Sequence, residues 1–170
     1  MERSFEKITR DDLVKLLRLA RSDVESFFQR NPKYIDAYRN KEVLVTLGQG
    51  GALHYVDKKN GVKDFDVWFF YPRYDKQLPY RRRGVVDFGE SKFGVHPSDK
   101  GYKGRRVDVL IRADTHFNFG TPGQCLANYL DEGKTTTAKM LSQKAMVGLW
   151  PKELLGMVLW PLHAKPEQKS

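Results

Sequence analysis

Two adjacent glycines, Gly50 and Gly51, stand twelve residues ahead of the acid pair Asp64-Phe65-Asp66, and this spacing constrains the chain more than any other feature. The acids open the run DFDVWFFY, residues 64–71, whose aromatic and β-branched content favours a strand. Side chains alternate faces along a strand, so Asp64 and Asp66 share one face. A second short apolar run, VDVLI at residues 107–111, carries Asp108. If the two strands lie side by side, three carboxylates converge. Like charges in that arrangement repel and call for water, a basic partner or a cation. Hard cations such as Mg²⁺ prefer oxygen ligands. Two of them about 3.5–4 Å apart can clamp the attacking and leaving oxygens of an in-line displacement. An Asp-x-Asp pair alone reads as a solvated strand face. Together with the diglycine and Asp108 it points to phosphoryl or nucleotidyl transfer.

The diglycine has a mechanism of its own. Residues 43–47, VLVTL, read as a buried strand; residues 48–51 turn the chain, and 52–56 suit a short helix. Glycine admits positive φ and lets a ligand approach the backbone closely. Free N–H groups at a helix start attract anions. A tight strand–helix turn without a ligand is the plainer alternative for two glycines taken by themselves.

Gly-Gly, a dozen residues, Asp-hydrophobic-Asp and a later strand Asp resemble the nucleotidyltransferase superfamily that includes DNA polymerase β. The resemblance covers residues 43–112 and is closest to small bacterial nucleotidyltransferases of toxin–antitoxin and abortive-infection systems. It implies a mixed sheet flanked by helices. It implies that Gly50 and Gly51 contact a nucleoside triphosphate such as ATP, and that Asp64, Asp66 and Asp108 hold Mg²⁺ or Mn²⁺. Asp108 would also help deprotonate the attacking hydroxyl. Many members carry serine where this chain has Gly51, so a hydroxyl contact to phosphate must come from elsewhere. A helix after the strands often supplies a cation to the triphosphate; Lys139 and Lys144 are the candidates, with residues 135–137 as hydroxyl donors. Lys63, next to Asp64, is a candidate for steering the triphosphate or the acceptor. The favoured acceptor is RNA, with tRNA leading; a protein side chain or small hydroxylated molecule remains open, as does an antitoxin-like protein partner.

At 170 residues the chain suits one α/β (α+β) domain spanning 1–170. No apolar run approaches the roughly 20 residues that span a bilayer, so no membrane partner is expected. The N-terminus lacks the apolar core of a signal peptide. Cys125 is the lone cysteine, which rules out an intrachain disulfide and a cysteine-based zinc cluster. A cytoplasmic protein is expected.

Lys and Arg number 30 against 21 Asp and Glu, a net charge of +9. Residues 58–112 hold fourteen basic and seven acidic residues, so most of the excess surrounds the acids. Arg81, Arg82 and Arg83 form one cluster and residues 100–106 another. Such a field attracts the phosphates of a nucleotide or of nucleic acid. Tyr71, Tyr74, Tyr80, Phe93 and Tyr102 are interleaved with the cations and are candidates for stacking on bases. An ordinary basic surface, with those rings in the core, is the alternative.

Residues 11–30 read as an amphipathic helix, with apolar residues at helical spacing, Thr9 or Asp11 as its cap and Asn31-Pro32 as its end. Residues 72–104 are turn-rich, with short strands expected at 85–88 and 92–95. Asp87 and Glu90 read as loop acids rather than extra ligands. Residues 122–162 read as helical: one helix over 124–130, a second over 135–148 and a third turn over 151–160. His54, His96, His116 and His163 lack zinc-motif spacing. No Walker-type glycine loop is present. Two rival classes stay open: a metal-dependent nuclease, and a non-catalytic RNA- or partner-binding protein.

Overall fold

Thr9 and Asp12 set the start of the first helix. The Thr9 hydroxyl accepts from the Asp12 N–H, and the Asp12 carboxylate accepts from the Thr9 N–H at 2.8 Å, a reciprocal capping box. The computed structural model describes residues 5–59, 61–74, 77–79, 81–89, 93 and 105–162. Helix α1 (Arg10–Arg30) buries Leu13, Leu16, Ala20, Val24, Phe27 and Phe28 along one stripe. Each large apolar side chain removed from water contributes about 1.5–3 kcal/mol. Asn31 closes the helix by donating its Nδ2–H to the Phe27 carbonyl at 2.9 Å, and Pro32 cannot continue it. A 3₁₀ turn (Pro32–Tyr34) and the short α2 (Ile35–Tyr38) lead to strand β1 (Leu44–Gly48).

Helix α3 (Gln49–Asp57) follows β1 without a loop. Strands β2 (Phe65–Tyr71), β3 (Arg81–Asp87) and β4 (Arg106–Ala113) come next. The chain then forms a 3₁₀ turn (Thr115–Phe117), α4 (Pro122–Glu132), α5 (Thr136–Leu141), β5 (Met146–Trp150) and β6 (Val158–Trp160). The strands form one sheet in the order β3-β4-β2-β1-β5-β6. β2 and β4 are parallel, and the other pairs are antiparallel. This is the mixed α/β class expected from the sequence.

Alternation divides the core between the two faces. Val45, Leu47, Phe65, Val67, Phe69 and Ile111 pack with the α1 stripe and Ala52 of α3. Leu44, Trp68, Phe70 and Leu110 pack on the other face with Leu126, Tyr129 and Leu130 of α4 and Leu141 of α5. Asp66 and Asp108 have the parity of this second face and lie at its end. No helix among the described residues is long and apolar enough to cross a membrane.

The C-terminal third departs from the helical reading of 122–162. The expected helix over 135–148 stops at Leu141, and Met146–Trp150 is instead a strand paired with β1. The expected helical turn over 151–160 is a 3₁₀ turn (Lys152–Leu154) followed by the strand Val158–Trp160. Residues 145–149 are buried without interruption, and a continuous apolar run does not distinguish helix from strand. Gly148 makes this hairpin feasible: a Cβ there would lie 2.2 Å from the Leu154 carbonyl oxygen. In the turn-rich stretch, the strand expected at 85–88 is longer and starts at Arg81. The one expected at 92–95 lies outside the described residues, apart from Phe93.

Candidate active site

One transverse row of the sheet runs Asp108, Asp66, Gly48, Met146, Trp160. Parallel pairing puts Asp66 directly opposite Asp108. Asp64, two residues before Asp66, reaches the same place from just ahead of β2. One carboxylate oxygen from each of the three acids lies within 4.8 Å of the others. Asp108 is buried, and Asp64 and Asp66 are half-buried. Among the described residues this is the group of three or more His, Cys, Asp and Glu placed to share an ion. The donors are all hard oxygens, and the cluster opens to one side, which fits Mg²⁺ or Mn²⁺ better than a soft metal.

A cavity of about 220 Å³ adjoins the acids, lined by Gln49, Gly50, Gly61, Lys63, Asp64, Asp66 and Lys144. It lies at the start of α3, whose N-cap, Gly48, offers no side-chain hydrogen bond. The positive pole of that helix therefore meets the cavity without a side-chain cap. The two glycines have different tasks. A Cβ on Gly51 would sit 3.2 Å from Leu47 Cδ1 and 3.4 Å from Phe65 Cδ1, so Gly51 lets α3 pack tightly on the sheet. A Cβ on Gly50 would meet nothing within 4 Å, so its bare backbone faces open space.

Gln49 has φ +53°, a left-handed conformation that costs a non-glycine residue about 1 kcal/mol or more. It lines the cavity between two residues with no side chain. The pattern Gly48-Gln49-Gly50-Gly51 was visible in the sequence, but nothing in it marked Gln49 as the strained position.

The two C-terminal lysines differ in where they stand. Lys144, in the turn between α5 and β5, lines the cavity. Lys139 lies on α5 with its Cγ 3.7 Å from the place a Cβ on Gly133 would occupy, and it is not among the cavity's lining residues. The hydroxyl of Thr135 caps α5 by accepting from the Ala138 N–H at 3.0 Å, rather than reaching the acids.

Several other sequence candidates are structural. Tyr71 and Phe93 are fully buried and stack edge-on with Tyr38 and Phe65 respectively, so neither is a platform for bases. Tyr74 is exposed; Tyr80 and Tyr102 lie outside the described residues. Asp87 ends β3 and accepts from the Gly89 N–H at 2.9 Å; Glu90 is outside the described residues. Arg81, Arg82 and Arg83 lie on β3 rather than in a loop, and most of the 100–106 cluster falls outside the described residues. His54 is buried in α3 and donates its Nε2–H to the Glu6 carbonyl at 3.1 Å. His116 sits at the far end of β4 between Asp114 at Nδ1 and Glu132 at Nε2.

Comparison of the chain with protein-family models, with curated proteins and with solved structures finds no match.

Proposed function

We propose that this protein is a metal-dependent nucleotidyltransferase, moving a nucleoside monophosphate from a nucleoside triphosphate to a hydroxyl, with RNA as the favoured acceptor. The observation that carries the reading is the gathering of Asp64, Asp66 and Asp108 within 4.8 Å beside the uncapped start of α3. A helix N-terminus favours an anion and a carboxylate cluster favours a divalent cation, and a triphosphate–metal complex presents both.

Asp64, Asp66 and Asp108 would hold the cation. When bound, it supplies positive charge that lowers the pKa of the acceptor hydroxyl and offsets charge on the departing pyrophosphate. The backbone at Gly50 and Gly51 orients the phosphates, and Gly50 leaves room for their close approach. Lys63 and Lys144 add positive charge on the walls of the same cavity. The acceptor oxygen forms a bond to the α-phosphorus, the bond to the β-phosphate oxygen breaks, and pyrophosphate leaves. Asp108, the most buried of the three acids, takes the hydroxyl proton.

The test is transfer from α-labelled ATP, GTP, CTP and UTP to total RNA and total protein, with Mg²⁺ or Mn²⁺, for the wild type and Asp64→Ala/Asp66→Ala. Label on RNA with matching pyrophosphate release, absent in the double variant, is the expected result. RNA cleavage without pyrophosphate would replace this reading with the nuclease. Absence of both label and nucleotide binding would leave a binding protein.

A further inference from the structure

Helix α3 has a second cavity at its other end. About 390 Å³ in volume, it is bordered by Lys7, Arg10 and Lys58, with Tyr55, Ile8 and Val158 among its walls and no carboxylate lining it among the described residues. From Gln49, which lines the first cavity, to Lys58, which lines the second, the chain rises about 13 Å at 1.5 Å per residue.

Arg10 stands where helix stability does not ask for a cation, and Lys58 stands where the backbone favours glycine. Arg10 is the first residue of α1, at the positive pole of the helix, where acids are favoured and Asp11 and Asp12 follow. Its Nη1–H donates to the Leu155 carbonyl at 3.4 Å, which holds the guanidinium against the connection between β5 and β6. Lys58 is the C-cap of α3 with φ +59°. Its charge suits that helix end, but its left-handed backbone is the usual place for glycine. Tyr55 is fixed as a wall by donating its hydroxyl to the Gly156 carbonyl at 3.3 Å. Cations beside an aromatic ring are the composition of single-strand nucleic-acid sites.

We propose that this cavity is a second anion site, which takes a backbone phosphate of a single-stranded RNA whose reacting end lies at Asp64, Asp66 and Asp108. The placement of the RNA end rests on the nucleotidyl-transfer reading; the anion site does not. The span of about 13 Å corresponds to about four nucleotides of stacked strand at about 3.4 Å each. The strand would run along α3 from the acids to the cations.

The experiment measures anisotropy of a labelled ten-nucleotide single-stranded RNA over a salt series. It compares wild type, Lys7→Gln/Lys58→Gly, Asp64→Ala/Asp66→Ala, and Lys152→Gln as a control on the exposed 3₁₀ turn. Glycine fits the left-handed backbone at position 58, and a Tm equal to that of wild type separates weaker binding from misfolding. Lys7→Gln/Lys58→Gly is expected to weaken binding about tenfold at low salt. It should also reduce the slope of log K against log salt by about 0.7 for each phosphate that the variant no longer neutralises. Lys152→Gln is expected to match wild type. Unchanged affinity and slope in the Lys7/Lys58 variant, or no RNA binding by wild type, overturns the site. Tighter binding of DNA of the same sequence overturns the assignment to RNA. Asp64→Ala/Asp66→Ala keeps the salt slope while abolishing transfer. If wild type transfers no nucleotide yet the Lys7/Lys58 slope effect persists, the transfer reading fails and the anion site stands. Transfer without the slope effect means the reverse.

Discussion

Asp66 and Asp108 are direct register partners across the parallel β2–β4 pair, with Gly48 on the opposite side of Asp66 in the same row. The pairing places two acids side by side through backbone hydrogen bonds rather than through loop geometry, so their separation is held by the sheet. Asp64 joins them because residues two apart on an extended chain face the same way.

This fixed cluster predicts metal-dependent stability. Millimolar Mg²⁺ or Mn²⁺ is expected to raise the Tm of the wild type. At a hundredfold excess over Kd the gain is about 2.7 kcal/mol. For a chain of this size that corresponds to roughly 5–10 °C. Asp66→Asn, which keeps the shape but removes a ligand charge, should halve the shift or more. Differential scanning fluorimetry with and without the ion decides it; equal shifts in both proteins would mean that the ion binds elsewhere.

The two glycines separate function from packing. Gly50→Ala meets open space and sits in a helix, where alanine is favoured over glycine by up to about 1 kcal/mol. Its Tm should match or exceed that of wild type, while, on the proposed transfer reading, nucleotide affinity falls because the methyl group would stand where the phosphates approach. Gly51→Ala presses on Leu47 Cδ1, which must shift by a few tenths of an ångström, so it should be less stable than Gly50→Ala. Urea unfolding of both variants beside a nucleotide-binding titration checks the pair. A loss of stability in Gly50→Ala with nucleotide binding intact would reverse the assignment.

The acids were legible because their signal is local. A period-2 face and a short apolar run place Asp66 and Asp108 on strands, and Asp64 on the same face one residue ahead of β2, without knowledge of anything distant. Lys144 was not separable from Lys139, because the choice depends on where α5 stops, and α5 stops where β5 begins to pair with β1, about a hundred residues earlier in the chain. Tyr71 and Phe93 look like base-stacking residues when read among their neighbouring cations. Their burial follows from packing against Tyr38 and Phe65, contacts that no local pattern encodes. The left-handed Gln49 is likewise a product of the tight β1–α3 junction, not of residue preference.

Gly148 carries a prediction about the hairpin that the sequence read as helical. With a Cβ 2.2 Å from the Leu154 carbonyl oxygen, Gly148→Ala forces backbone apart rather than a flexible side chain. Two bonds then come under strain: the Gly148 N–H donates to the Met157 carbonyl at 2.8 Å, and the Gly156 N–H donates to the Gly148 carbonyl at 2.9 Å. The cost should be about 3 kcal/mol or more. A lower urea midpoint with unchanged m is the expected result. A variant as stable as wild type would mean that the 3₁₀ turn can lift off the strand freely.

His116 predicts the pH dependence of stability. Burial works against charge on its ring, but hydrogen bonds and Coulombic attraction from Asp114 and Glu132 outweigh it and hold the pKa above the ordinary 6.5. A raised folded pKa means that the contribution of the protonated ring is whole below about pH 6.5 and fades as pH rises through the folded value. Glu132 behaves oppositely: the hydrogen bond from His116, with lesser help from Lys134, holds its pKa below the ordinary carboxylate value. Its contribution is present above about pH 4.5 and fades as pH falls through that lower folded value. The clamp joining the turn after β4 to the end of α4 is therefore strongest between the two. In His116→Gln, which hydrogen-bonds but does not titrate, the Tm deficit relative to wild type should be largest near pH 5.5–6 and should shrink toward about pH 9. Thermal melts of both proteins across that range decide the matter, and a deficit that stays constant with pH would show that the ring acts through packing against Tyr129 alone.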